Sequence, residues 1–324
     1  MRVLVIGGTL FIGRHLTGQL LEAGHEVTIL HRRPGHDLGG AVQELIGDRN
    51  DIGPLAGVLA GRRFDAVFDN VYDWERGTTA AHVEATARAC GGDLHRYVFM
   101  SSVGAYQEAL DVTEESPLAP EDDGNSYAQN KASSERALFR LHEREGLPVV
   151  TLRPPYVYGP DNPFYREAFF WDRLADNRPI LVPGDGQRPM HMAYVKDVVR
   201  ACLAALERPE AVGESFNIAD ERPVTQDELV RALARAAGYE PRLVHVPRER
   251  IEAAGGSGMG PERLYFGMHL DLVPITEVTV KARRLLGFQA TPLGDGLAET
   301  YAWYREHHSR PAIDYAFEDA LLAG

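Results

Sequence analysis

Cysteine is almost missing from this chain. Two residues in 324, Cys90 and Cys202, cannot build a disulfide framework, and their spacing fits no zinc-ligand pattern. Both are expected as small core residues. No apolar run approaches the ~18 residues that a membrane-crossing helix needs. The 12 histidines form no His-x-x-x-His pair and no His/Cys cluster, so no bound metal is expected. Positive charge is in the minority: Lys and Arg number 34 against 47 Asp and Glu, for a net charge of -13. That balance argues against nucleic acid as a partner. The N-terminus carries no signal-peptide apolar core and no small-residue cleavage site, which leaves a cytoplasmic location as the expectation. There are no internal repeats and no low-complexity segments.

What is present, over the first 160 or so residues, is an alternation of strand and helix patterns. Arg2 to Ile6 is an apolar run without polar alternation, as a strand buried on both faces requires. Phe11 to Ala23 has helical spacing and stops at Gly24. Further strands are expected at Glu26–Leu30, Val42–Ile46, Phe64–Asp69, Arg96–Met100 and Val149–Leu152, with helices around Thr79–Cys90 and Ser126–Glu145. Repeated strand–helix–strand units imply right-handed crossovers and an α/β fold with a doubly wound parallel sheet. Beyond Arg153 prolines interrupt the alternation, and helical patterns return at Val195–Leu206, Gln226–Ala237, Glu277–Leu286 and Leu293–His307. The expected division is a dinucleotide-binding domain of residues 1–158 plus about 189–222. Residues of about 159–188 plus 223–324 make a smaller, mostly helical α/β substrate-binding domain.

Three features carry chemistry. The first is the turn Gly7-Gly8-Thr9-Leu10-Phe11-Ile12-Gly13 between the first strand and helix. Glycines there permit a tight turn, close backbone approach to a pyrophosphate and close helix–sheet packing, while the helix N-terminus offers free N–H groups. Leu10 stands where many dinucleotide folds have a middle glycine, so its side chain either tilts outward or changes the pyrophosphate seat. The second is His31-Arg32-Arg33 at the end of the second strand. An acid at this place would hold the ribose 2′-OH of NAD, whereas guanidinium groups suit the 2′-phosphate of NADP. NADP is therefore expected, with NAD as the alternative. Asp48, at the end of the third strand, is a candidate acceptor for the adenine amino group. The third is Tyr127 and Lys131, four positions apart on one helical face. A phenol titrates near ~10 in isolation and needs its anion stabilised to work as an acid/base near neutrality, which a lysine one turn away does. Ser101 and Ser102 end the fifth strand, at the carboxyl edge where such sheets bind ligands.

Together these segments resemble the extended short-chain dehydrogenase/reductases, the NAD-dependent epimerase/dehydratase family. The matching residues are Gly7 to Gly13, Asp48, Phe99-Met100-Ser101-Ser102-Val103-Gly104-Ala105-Tyr106, Tyr127 to Lys131, Arg153 to Pro160, and Phe216-Asn217-Ile218-Ala219. The resemblance implies a Rossmann domain and Tyr127 as proton acceptor and donor. Lys131 holds the nicotinamide ribose and lowers the Tyr127 pKa. Ser102, four positions before Tyr106, is the hydroxyl that orients the reacting oxygen. Gly7, Gly8, Thr9, Leu10, Phe11, Ile12, Gly13, His31, Arg32, Arg33, Asp48, Asn70, Ser101 and Pro154 then fall along the cofactor. The implied reaction is hydride transfer at a hydroxyl or ketone carbon of a small molecule, a sugar or sugar nucleotide among the options. Tyr156, Tyr158, Arg188 and His191 are the substrate-side candidates. A homodimer through the helices around Thr79–Cys90 and Ser126–Glu145 is also implied.

The chain departs from the family pattern in three places. Asp69-Asn70-Val71-Tyr72-Asp73 replaces the His-Leu-Ala-Ala of sugar-nucleotide epimerases after strand four. No Asp-Glu pair follows Ser102, which argues against 4,6-dehydration. Arg188 lies about two positions from the register of the arginine that holds a substrate diphosphate. The strand-four ending and the form of the glycine turn also resemble a branch that includes the chloroplast stem-loop-binding proteins. The competing readings are thus an RNA-binding or nuclease-like protein, or an NADP sensor without turnover. The acidic charge and the intact Ser102, Tyr127 and Lys131 argue against the first.

Overall fold

The apolar run after Arg2 forms strand β1 (Arg2–Ile6), with Val3, Leu4, Val5 and Ile6 all buried. The computed structural model describes residues 1–91, 93–107 and 110–323. Two units divide the chain. One comprises Met1–Pro155, Val195–Ala219 and Glu277–Gln289, the other Tyr156–Tyr194, Asp220–Thr276 and Ala290–Gly324.

In the first unit β1 leads through α1 (Phe11–Glu22), β2 (Glu26–His31), β3 (Gln43–Ile46), α2 (Ile52–Leu59), β4 (Ala66–Asp69), α3 (Ala80–Ala89), β5 (Arg96–Met100), α4 (Ser126–Glu145) and β6 (Val149–Arg153). Helix α5 (Val195–Glu207), β7 (Glu214–Asn217) and α6 (Val280–Leu286) complete it. The seven strands are parallel, in the order β7-β6-β5-β4-β1-β2-β3. Strands β4, β5 and β6 are buried along their whole length, as strands covered on both faces must be. Each buried Val, Leu, Ile or Phe contributes roughly 1.5–3 kcal/mol. The strand order reverses between β1 and β4, so the carboxyl ends of these two strands flank a topological switch point, where such sheets bind ligands.

Local signals explain most of the elements. Helix α4 starts where Asn125 Oδ1 accepts from the N–H groups of Tyr127 and Ala128, and ends at Gly146 with φ +75°. Helix α2 was not expected: its eight residues include Gly53, Pro54 and Gly57, which read as loop, yet Leu55 and Leu59 pack it into the core. The segment 277–289 was expected in the second domain. It belongs to the first unit because Ala282 and Leu286 are buried, Lys281 pairs with Glu214 at 2.6 Å, and Gln289 accepts from Arg200.

A buried polar network ties the edge of the sheet together. Arg153 Nε donates to Glu135 at 2.9 Å and its Nη1 to Tyr106 Oη at 2.7 Å, and Tyr106 donates to Asn217 Oδ1 at 2.6 Å. The acidic Asp111–Asp123 stretch precedes α4. It is pinned at its start: Asn217 Nδ2 donates to Val112 O, and Glu114 accepts from the Asn217 N–H. Cys90 and Cys202 are buried in the core, which pushes both thiols up to about 12.

The second unit holds short paired strands and helices. Tyr156–Tyr158 pairs with Met192–Tyr194, Ile180–Pro183 with Leu243–Val246, and Pro189–Met190 with Val224–Thr225. Its longer helices are Glu167–Ala175, Gln226–Ala237 and Leu293–His307. Phe169, Phe170 and Trp171 are buried, so these aromatics form core. Among the described residues no helix is long and apolar enough to cross a membrane.

Glu277 generates a stability prediction. Burial, reinforced by the neighbouring Glu114, holds its carboxyl well above the ordinary glutamate range. The folded chain therefore keeps a proton that the unfolded chain has already released, and stability falls as pH rises from about 4.5. Glu277→Gln is expected to melt above the parent, by a margin that grows between pH 4.5 and pH 8. Parallel melting curves across that range are the measurement; a constant margin contradicts the assignment.

Candidate active site

The glycine turn follows from backbone sterics. Gly7 sits at φ +81°, open to glycine at little cost, and a Cβ there would overlap Val71 of the loop after β4. A Cβ on Gly13 would overlap the Gly7 carbonyl, so α1 begins in direct backbone contact with the turn. Thr17 Oγ1 donates to Gly8 O at 3.1 Å and fastens the turn from the helix side. Thr9 and Ile12 are half-buried, and Phe11 is buried at φ +43°. Leu10 is 69% exposed, which resolves its two options: it tilts outward. No side chain caps α1, so its first N–H groups face the turn. This glycine cradle fits a pyrophosphate.

Next to it, at the end of β4, lies a buried charge pair that sequence reasoning missed. Arg49 and Asp69 form an ion pair in which both are buried, and Tyr97 Oη donates to the same Asp69 oxygen at 2.8 Å. Among the described residues the buried Asn70 side-chain amide and Ser101 Oγ have no hydrogen-bond partner. Orphaned polar groups at a sheet's carboxyl edge fit a polar ligand. His31 Nε2 lies 2.7 Å from Glu44 Oε1, which also accepts from the Gly35 N–H. Arg33 is exposed. Asp48, expected to meet the adenine, is engaged by Arg76 and by the Asn50 N–H at 2.9 Å.

The loop after β4 centres on Asp73. Its carboxylate is buried and accepts the N–H groups of Glu75 and Arg76 at 3.0 Å each. Arg76 Nε donates to it at 2.9 Å, and Arg32 Nη1 at 3.3 Å. The Arg76 N–H and guanidinium hold the Asp73 carboxyl below its ordinary range against the opposing effect of burial. The aromatic-and-charged string Tyr72-Asp73-Trp74-Glu75-Arg76 was the available sequence signal, but nothing in it announces its partners.

Ser102, Tyr127 and Lys131 do come together. Ser102 Oγ accepts from the Gly104 N–H at 3.0 Å and caps a short turn after β5. A Cβ on Gly104 would stand 3.1 Å from Tyr127 Cε1 and 3.4 Å from Ser102 Oγ, so the hydroxyl and the phenol ring flank one glycine. Lys131, one turn along α4, donates from Nζ to Met100 O at 2.7 Å and lies 6.0 Å from the Tyr127 ring centroid. Burial lowers its pKa to about 8, against the pull of Asp69. Two rings from the β4 loop complete the surroundings. Trp74 stacks on Tyr127 with centroids 5.0 Å apart, and Tyr72 meets Tyr127 edge-on at 4.8 Å. Pro154 accepts from the Val103 N–H at 3.1 Å.

The substrate-side candidates fall in the second unit. Tyr158 is fully buried against Gly296, and Tyr156 Oη donates to Val273 O at 3.3 Å. His191 is buried, with Nε2 3.0 Å from Asp220 O. Arg188 binds Asp271 at 3.2 Å, and Arg248 binds the same carboxylate. Arg188 and Arg248 are the partly exposed members of this group. Among the described residues no three His, Cys, Asp or Glu side chains group as metal ligands.

Comparison with known proteins follows the same lines. The model of the NAD dependent epimerase/dehydratase family matches residues 3–219. The chloroplast stem-loop binding protein of 41 kDa b from Arabidopsis thaliana is 30% identical, over 99% of this chain and 84% of its own length. A dTDP-glucose 4,6-dehydratase from an Actinoplanes species is 27% identical, over 95% of this chain and 99% of its own. Among solved structures, UDP-glucuronic acid 4-epimerase from Bacillus cereus in complex with NAD superposes with a TM-score of 0.74 at 21% identity, covering 95% of this chain and 100% of that one. This last likeness speaks for the fold.

Lys131 yields the second prediction. The folded chain binds its proton more weakly than the unfolded chain, so stability rises as pH climbs from about 8 toward 10.5. Lys131→Met is expected to flatten that limb in denaturant titrations at several pH values; an unchanged limb places the titration elsewhere.

Proposed function

The chain belongs to the NAD dependent epimerase/dehydratase family, and on that premise we propose that it uses NADP to interconvert a hydroxyl and a ketone on a sugar nucleotide or related sugar. The observation that carries this reading is the convergence of Ser102 Oγ and the Tyr127 ring on Gly104, with Lys131 one turn away at the carboxyl edge of the sheet. A bound nicotinamide supplies the hydride acceptor and donor. The chain supplies the rest. Ser102 orients the substrate oxygen by a hydrogen bond. Tyr127 moves the proton between its phenol and that oxygen. Lys131, charged below about pH 8, stabilises the phenolate that the transfer creates.

Gly7, Gly8 and Gly13 with the uncapped α1 N-terminus would hold the pyrophosphate, and Asn70 and Ser101 offer unpaired polar groups beside it. Arg32 and Arg33 favour NADP over NAD, since no acid follows β2 to bind a ribose 2′-OH. In the second unit Arg188 and Arg248 share the Asp271 carboxylate, two cations on one anion, a chemistry that suits an anionic group. Dehydration is disfavoured by the missing Asp-Glu pair after Ser102.

Two outcomes are expected. In a screen of UDP- and dTDP-sugars, Tyr127→Phe should lower turnover on the order of a hundredfold or more, with NADP affinity largely kept; surviving turnover removes the mechanism. In equilibrium titrations the parent should bind NADP more tightly than NAD. An RNA stem-loop serves as the control ligand there, because the Arabidopsis relative is named for stem-loop binding. Tight RNA binding without nucleotide binding overturns the enzyme reading, and the net charge of -13 argues against that result.

A further inference from the structure

The segment between β4 and α3 contributes a guanidinium to the end of β2. Arg76 and Arg32 are 44 positions apart in the chain, yet both donate to one oxygen, Asp73 Oδ2. Arg76 does so through Nε at 2.9 Å, with its Nη2 2.8 Å from the same oxygen, and Arg32 through Nη1 at 3.3 Å. Two guanidinium groups on one oxygen repel each other unless an anion stands between them. Asp73 is that anion, with its side chain only 6% exposed, while those of Arg32 and Arg76 are 60% and 48% exposed. The carboxylate thus lies at the base and the cationic heads face outward. The two N–H groups of the turn and the two guanidinium groups occupy its oxygens. The charge of Asp73 is offset by the two guanidinium groups that share it, and Asp51 lies 3.8 Å from Arg76 Nη1. Arg76 is steadied from the other side by Asp48. Among the described residues the Arg32 side chain donates only through Nη1, and exposed Arg33 adds a further positive charge beside it.

We propose that Arg76, paired with Arg32 across Asp73, is a specificity-determining residue that recognises the 2′-phosphate of the dinucleotide. The inference rests on the NADP reading given above and extends it to a residue outside the β2 end. The place is the one the fold assigns to the adenosine ribose: the carboxyl end of β2, beside the switch point. The chemistry is that of a phosphate dianion, whose oxygens accept from the guanidinium donors that Asp73 and Asp48 leave over, Nη1 of Arg76 and Nε and Nη2 of Arg32. A lone exposed arginine would pay the full entropy of ordering its side chain when the phosphate arrives. Asp73 holds both heads in place beforehand, which lowers that cost.

The test uses two ligand fragments that differ only in the group at issue, 2′,5′-ADP and 5′-AMP, titrated calorimetrically against the full-length chain. Arg76→Ala is expected to weaken 2′,5′-ADP on the order of tenfold or more and to leave 5′-AMP within about threefold. Arg76→Lys, which keeps the charge and loses the fork, should recover part of that loss. Melting temperatures of both variants verify that they are folded. Equal weakening of both fragments makes Arg76 a structural residue and overturns the proposal. So does an unchanged preference in Arg76→Ala. In either case a parent that still prefers 2′,5′-ADP leaves the NADP reading standing. A parent that binds the two fragments equally removes that reading, and the role of Arg76 with it.

Discussion

The backbone contact between Gly13 and the Gly7 carbonyl sets the rest of the first unit. It admits no Cβ, so α1 must begin hard against the end of β1. Gly7 is bounded on its other side by Val71, so the same turn also seats the loop after β4. Through Val71 the loop is fixed at its root, and Tyr72, Asp73, Trp74 and Arg76 are carried to their places from there. The glycine turn is therefore more than a connection between β1 and α1. It is the surface on which the neighbouring loop is built.

Buried charge does the same work elsewhere. Arg49 and Asp69 lock the third and fourth strand ends together, and Glu135, Arg153, Tyr106 and Asn217 join α4 to the edge of the sheet. Removing one partner of such a pair costs about 3–5 kcal/mol because the other charge is left buried alone. These groups are better read as position-setters than as net stabilisers. They hold the strand ends in register where the polar groups of Asn70 and Ser101 are buried.

Much of this was legible in the sequence, and the limit has a physical reason. Apolar runs, a glycine turn and a glycine stop are local signals, and with helical spacing they located β1 to β6, α1 and α4, but not β7. The Tyr127 and Lys131 pair is also local, one helical turn. Helix α2 was hidden because its glycines and proline oppose the helix that packing imposes. The segment 277–289 was misassigned because its partners, Glu214 and Arg200, lie far away in the chain. Arg76 was missed for the same reason. A charged residue in a loop has no periodicity, and its meaning comes from Asp48, Arg32 and Asp73, which only the fold brings to it. The departure at the end of β4 was visible as a mismatch to the family pattern, but its content, an arginine hub and two aromatic rings, was not.

Trp74 has a consequence of another kind. Of the three tryptophans, Trp171 is buried, whereas Trp74 is 60% exposed and lies nearly parallel to the Tyr127 ring, with 13° between the planes. An indole in that position is an optical label that the chain already carries. Its emission is sensitive to the contact between the β4 loop and the phenol. The seating of the loop can thus be followed by light, in solution and in real time, on the unmodified protein.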